Sequence, residues 1–108
     1  MTLQELHTIL TGITGFADKV AYRAFPVDAA PPLPFIAYIE TGANNFAADG
    51  VVYAAAHQVQ VELYTAERDL NSEALVEKAL TDNNIYYTKD IAYLEEELCY
   101  MIIYGTEI

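Results

Sequence analysis

Between residues 57 and 63 apolar and polar positions alternate without a slip. His57, Val59, Val61 and Leu63 fall on one side, and Gln58, Gln60 and Glu62 on the other. A period of two belongs to a strand with one face in a core and the other in water, and that strand is predicted over residues 51–65. Residues 35–41 repeat the pattern, with Phe35, Ala37 and Ile39 opposed to Ile36, Tyr38 and Glu40. The two strands are expected to pair as a hairpin. Asn44-Asn45 and Asp49-Gly50 are turn-forming pairs, so residues 42–50 are expected to be a long loop at its tip.

Helical spacing occurs twice. Leu3, Leu6, Ile9, Leu10 and Ile13 recur at intervals of three and four over residues 2–14. Thr2 followed by Glu5 has the spacing of a capping box, and Gly12 or Gly15 can end the helix. Over residues 67–83 the apolar stripe is Leu75, Val76, Ala79 and Leu80, with Asp69, Asn71 and Ser72 as N-cap candidates. Glu73 and Glu77 lie near the start, where the helix dipole favours acids, and Asn83-Asn84 ends the run.

The remaining segments complete the order. Residues 19–25 suit a short first strand. All four prolines lie between positions 26 and 34, which makes that stretch an extended connector. Residues 85–89 suit a fourth strand, Lys89-Asp90 a turn, and residues 93–104 a long fifth strand. The fifth strand is apolar on both sides in its second half, which implies a central or doubly covered position. The predicted fold is α+β in a single domain, in the order α-β-β-β-α-β-β. Its sheet is mainly antiparallel, of about five strands, with two helices packed on one face. The chain shows no internal repeat.

Composition bounds what such a domain can do. A chain of 108 residues that is 54% hydrophobic is one folded domain despite a net charge of −11. Apolar runs stay short of the ~18 residues of a membrane helix. The start, MTLQELHTIL, has an acid and no base, so neither a membrane span nor a secretory signal is expected. Sixteen acids face five bases, and Lys19, Arg23, Arg68, Lys78 and Lys89 are scattered. Binding phosphate needs clustered cations, so specific nucleic-acid binding is not expected. An acidic protein can still sit beside DNA by repelling it, and a ring of acidic copies would let DNA slide through.

Candidate chemistry is sparse. His7 and His57 stand alone, without H-x-x-x-H, C-x-x-C or H-E-x-x-H spacing, so no metal centre is expected. Glu95-Glu96-Glu97 reads as a solvated strand end. The single serine, Ser72, is in a helix-cap context, and no glycine-rich phosphate cradle is present. Cys99, the only cysteine, reads as an apolar filler and fits synthesis in a reducing cytoplasm. No catalytic residue and no cofactor is assigned. Nine tyrosines against no tryptophan suit half-buried sheet positions and a surface covered by another protein.

Four pieces of the chain together carry a resemblance: Pro-Phe-Ile-Ala-Tyr at 34–38, Asn-Asn-Phe-Ala-Ala-Asp at 44–49, Val-Glu-Leu-Tyr-Thr at 61–65 and the tyrosine-rich closing strand. The layout resembles small tail-completion proteins of long-tailed phages and prophages. The resemblance spans nearly the whole chain and implies a non-enzymatic protein of the virion tail, made in the bacterial cytoplasm. Such a protein caps the tail tube, forms a hexameric ring and joins the tail to the head. The implied partners are other copies of itself, the major tail protein and the head-closure protein. Asn44, Asn45, Phe46 and Asp49 are then the candidate subunit or tube contacts. Two rivals remain. One is an acidic DNA mimic or other module that binds and inhibits a DNA-handling enzyme. The other is a small enzyme built around His57 and carboxylates.

Overall fold

The structure, a computed structural model, describes residues 1–26, 28–48 and 51–108, with the backbone alone for 44–48 and 51–55. Its elements are α1 (Leu3–Thr11), β1 (Val20–Tyr22), β2 (Phe35–Ala48), β3 (Val51–Thr65), α2 (Leu70–Asp82), β4 (Tyr87–Leu94) and β5 (Cys99–Glu107). This is the predicted order. The five strands form one sheet in the order β1-β2-β3-β5-β4, antiparallel throughout except for the parallel pair β1–β2.

The alternation on β3 organises the core. Val61 stands between Tyr38 on β2 and Tyr104 on β5, and Leu63 between Ile36 and Ile102. Those six side chains point to one side of the sheet and are buried. Above them α1 lays Leu6 and Leu10, the turn after it adds Ile13 and Phe16, and α2 adds Val76 and Leu80. Both helices therefore cover the same face. Each fully buried Leu or Ile contributes about 1.5–3 kcal/mol of transfer free energy.

The helix ends follow local chemistry. The Thr2 hydroxyl accepts from the Glu5 amide while Glu5 reaches back to the Thr2 amide, the predicted capping box. Gly12 caps the C-terminus with ordinary right-handed torsions, and the left-handed residue is Gly15, with φ 89°. At the start of α2 the Asp69 carboxylate accepts from the Ser72 amide and hydroxyl, which holds its pKa below the usual carboxylate range.

Several details differ from the sequence reading, among them the fourth and fifth strands, which run Tyr87–Leu94 and Cys99–Glu107. Residues 42–48 are strand, not loop: β2 continues to Ala48 and β3 begins at Val51. A β-bulge at Thr41 shifts the register there, and the ladder then carries on through Asn44↔Ala56 and Asn45↔Ala55. Lys89 and Asp90 lie in the middle of β4, and the turn falls instead on residues 95–98, where Leu98 has φ 53°. A charged pair reads as a turn only when nothing receives it, and here the Lys89 ammonium has partners on α2. Finally, α2 buries Val76 and Leu80 of the predicted stripe and packs Ala79 on the core, but turns Leu75 outward and Glu73 inward. Leu75 is 39% exposed, whereas Glu73 is 2% exposed.

Leu80→Ala should therefore cost about 2–5 kcal/mol, the range for truncating a fully buried leucine. Leu75→Ala should cost about 0.5 kcal/mol or less. Urea unfolding of the two variants measures the difference.

Candidate functional site

β2 and β3 outrun the sheet. β5 accompanies β3 only as far as Gln58↔Glu107, where His57 and Ile108 then exchange both backbone hydrogen bonds at 2.8 Å. From Asn44↔Ala56 to Ala48↔Val51 the two strands are paired, among the described residues, with each other alone. The result is a two-stranded arm on a molecule 51 Å long and 27 by 23 Å across. Residues 43–56 carry one of the sixteen acids, Asp49, and none of the five bases. An isolated two-stranded ribbon is marginally stable in water, and an uncharged one gains little from solvation.

The root of the arm is pinned by side chains. The Thr41 hydroxyl donates to the Gln58 carbonyl at 3.3 Å, and His57 Nδ1 lies 3.2 Å from Glu40 Oε1. The histidine thus has a partner on the neighbouring strand, at the rim of the core rather than inside it. Of the four sequence candidates, Asn44, Asn45 and Phe46 fall on the arm portion of β2, opposite Ala56, Ala55 and Ala54. Their side chains, and Asp49 altogether, lie outside the described residues.

The sheet face away from the helices is only partly covered. The connector between β1 and β2 crosses its lower end and leaves a hollow of about 410 Å3 lined by Phe25, Leu33, Phe35, Tyr64, Leu94 and Cys99. Cys99 is 4% exposed. Burial, and then the neighbouring Glu97, push its thiol pKa up, away from the thiolate a nucleophile needs. Higher on this face the Glu62 carboxylate accepts from Gln60 Nε2 at 2.7 Å and from the Tyr64 hydroxyl at 2.8 Å. Glu95, Glu96 and Glu97 are exposed as expected, but in the β4–β5 turn rather than on the predicted fifth strand.

Among the described residues the ion pairs of Arg68 and Lys89 converge on one carboxylate of α2. Glu73, buried under α2, receives Arg68 Nε and an Arg68 terminal nitrogen at 3.1 Å each, and Lys89 Nζ at 2.8 Å. The same ammonium reaches Glu77 at 2.8 Å, and the Tyr104 hydroxyl donates to Glu77 at 2.8 Å. The Glu73 pKa reflects a contest. Burial raises it, but hydrogen bonds and charge from Arg68 and Lys89 win and hold it below its ordinary value. The spacing did contain a signal, because Glu73 continues the Val76–Leu80 stripe backward by three residues and so sits on the buried side of the helix.

Among the described residues no three His, Cys, Asp or Glu side chains gather as a metal would need, and no helix is long and apolar enough to cross a membrane. His7 Nδ1 lies 3.0 Å from the Tyr38 hydroxyl, at the edge of α1. The structure does not bring His7, His57 and Cys99 together. His7 bonds to β2 over the core, His57 stands at the arm root, and Cys99 lies under the connector.

The Glu73 cluster makes stability depend on pH. A carboxyl whose folded pKa lies below the unfolded one, about 4.3 for Glu, stabilises fully above that value and loses the contribution as pH falls through the folded pKa. The wild type should therefore lose stability more steeply below about pH 4.3 than Glu73→Gln does, read from thermal melts between neutral and acid pH. Glu73→Ala, which removes the acceptor of Arg68 and leaves Lys89 with Glu77 alone, should cost about 1–3 kcal/mol at neutral pH. No protein-family model matches the chain, and no curated protein matches it in sequence.

Proposed function

We propose that this chain is a tail-completion protein of a long-tailed phage or prophage, a structural subunit that caps the tail tube and joins it to the head as a ring. The observation that carries the reading is the arm. It is a long hairpin with one acid and no base, held out from a compact body of opposite character. Such an element gains more from docking on a neighbouring subunit or tube than from water. Asn44, Asn45, Phe46 and Asp49 are the proposed contacts. The charge distribution supports a DNA-passing ring. Arg68, Lys89 and Lys78 are each paired with acids, while Asp90, Glu95, Glu96, Glu97 and Glu107 are exposed. Copies arranged about a channel would present carboxylates to DNA and repel it.

Replacing residues 43–56 by an Asn-Gly turn between Gly42 and His57 tests this. The expected outcome is a protein that still unfolds cooperatively, with a far-UV circular dichroism spectrum reduced only by the strand residues removed. In the carrying phage, full heads and finished tails should then accumulate unjoined in electron micrographs. Normal yields of infectious particles would overturn the assignment.

A further inference from the structure

β4 forms one border of the sheet, and its outer edge is regular. The register with β5 runs from Tyr87↔Thr106 to Leu94↔Cys99 without a shift, and the strand has no proline. Which backbone groups face outward follows from the ladder. His57 and Ile108 form a hydrogen-bonded pair, so the alternate pairs Val59↔Thr106, Val61↔Tyr104 and Leu63↔Ile102 are bonded too. Met101, Ile103 and Gly105 then turn their backbone groups to β4 and bond Ala92, Asp90 and Thr88. The amides and carbonyls of Tyr87, Lys89, Ile91 and Tyr93 point away from the sheet. Ile91 and Tyr93 are each 47% exposed.

Native edges are guarded by charged side chains, lysine above all, by proline or by a bulge, and the charges on β4 are Lys89 and the exposed Asp90. Here the one lysine of the strand is pulled inward to Glu73 and Glu77. The opposite border is different. The first outward amide of β2 beyond β1, that of Glu40, already donates to the Tyr22 hydroxyl at 3.3 Å, and the bulge at Thr41 follows at once.

We propose that β4 is a self-association edge, on which β4 of a second copy adds antiparallel about a twofold axis at Ile91. Charge selects that register. A twofold axis at Lys89 would set Lys89 opposite Lys89, and one at Asp90 would set Asp90 opposite Asp90, both like-charge pairs that destabilise. An axis at Ala92 would pair Lys89 with Glu95, beyond the end of the strand. An axis at Ile91 pairs Ile91 with itself, Lys89 with Tyr93 and Asp90 with Ala92. It joins Lys89, Ile91 and Tyr93, three of the four outward residues, and each such pair exchanges two hydrogen bonds, while Tyr87 falls opposite Glu95 past the strand end. The nearest like charges are Asp90 and its mate on the diagonal. With a net charge of −11 on each copy, the pairing should tighten as salt is raised. The inference uses β4 alone and stands whether or not the tail assignment does.

Sedimentation velocity on the full chain and its variants, at low and at 0.5 M salt, tests it. The expected results are a monomer–dimer equilibrium that shifts to dimer with salt, roughly tenfold weaker for Ile91→Lys and roughly threefold tighter for Asp90→Asn. Ile91→Cys, whose Cα should lie about 5.5 Å from its mate, within the reach of a disulfide, should oxidise to a covalent dimer. Tyr86→Cys, 92% exposed but far from the axis, should not. The buried Cys99 stays out of the reaction. A chain monomeric at every concentration and salt, or a dimer that Ile91→Cys does not trap, would overturn the proposal. Should Ile91→Lys fail to fold, the cysteine variant decides alone.

Discussion

β3 is bonded on both sides over its lower half, and this single constraint orders the rest of the domain. A strand with neighbours on two edges can turn only its side chains to core or water, so its alternation decides which face the helices must cover. Val59, Val61 and Leu63 supply that face. A slip of one residue would put Gln58, Gln60 and Glu62 beneath α1 and α2 and leave three amide or carboxylate groups buried without water. The register of β2 and β5 follows, because Ile36, Tyr38, Ile102 and Tyr104 must arrive beside the same row.

The Glu73 cluster acts on a second level. A buried ion pair adds little net stability, because desolvation offsets most of the attraction. What it does here is specify position. Lys89 comes from a border strand, Glu73 and Glu77 from α2, and Tyr104 from β5. Their shared contacts set where α2 lies along the sheet. They also tie the only lysine of β4 to the helix side, and that leaves Asp90 as the one free charge on the border strand among the described residues. Stability on one side of the strand and openness on the other thus have one cause.

Much of the architecture was legible because it rests on short-range rules. The capping box at Thr2 and Glu5, the alternation at 57–63 and the run of prolines each act within a few residues. The misreadings share another cause. Asn44-Asn45 and Lys89-Asp90 carry turn-forming chemistry, yet both lie in strands, because a partner strand already in register supplies the backbone hydrogen bonds that a turn would otherwise provide. The acidic run at 95–97 was placed on a strand, but three adjacent carboxylates are solvated best in a tight turn, with Leu98 taking left-handed torsions. The segment that holds Asn44, Asn45 and Phe46 reads as a loop in the sequence and is a ladder-bonded arm.

By itself, then, the amino-acid order determined the element sequence, the inward face of the central strand, the absence of charge between residues 43 and 56 and the acidic balance of the whole chain. Only the tertiary structure decided that the hairpin leaves the sheet, that Glu73 rather than Leu75 is buried, and that β4 keeps an open edge. The division has a physical reason. Periodicity and capping are fixed by neighbours in sequence, whereas edge, burial and ion partners depend on which distant segment arrives alongside, a choice made by the packing of the complete core.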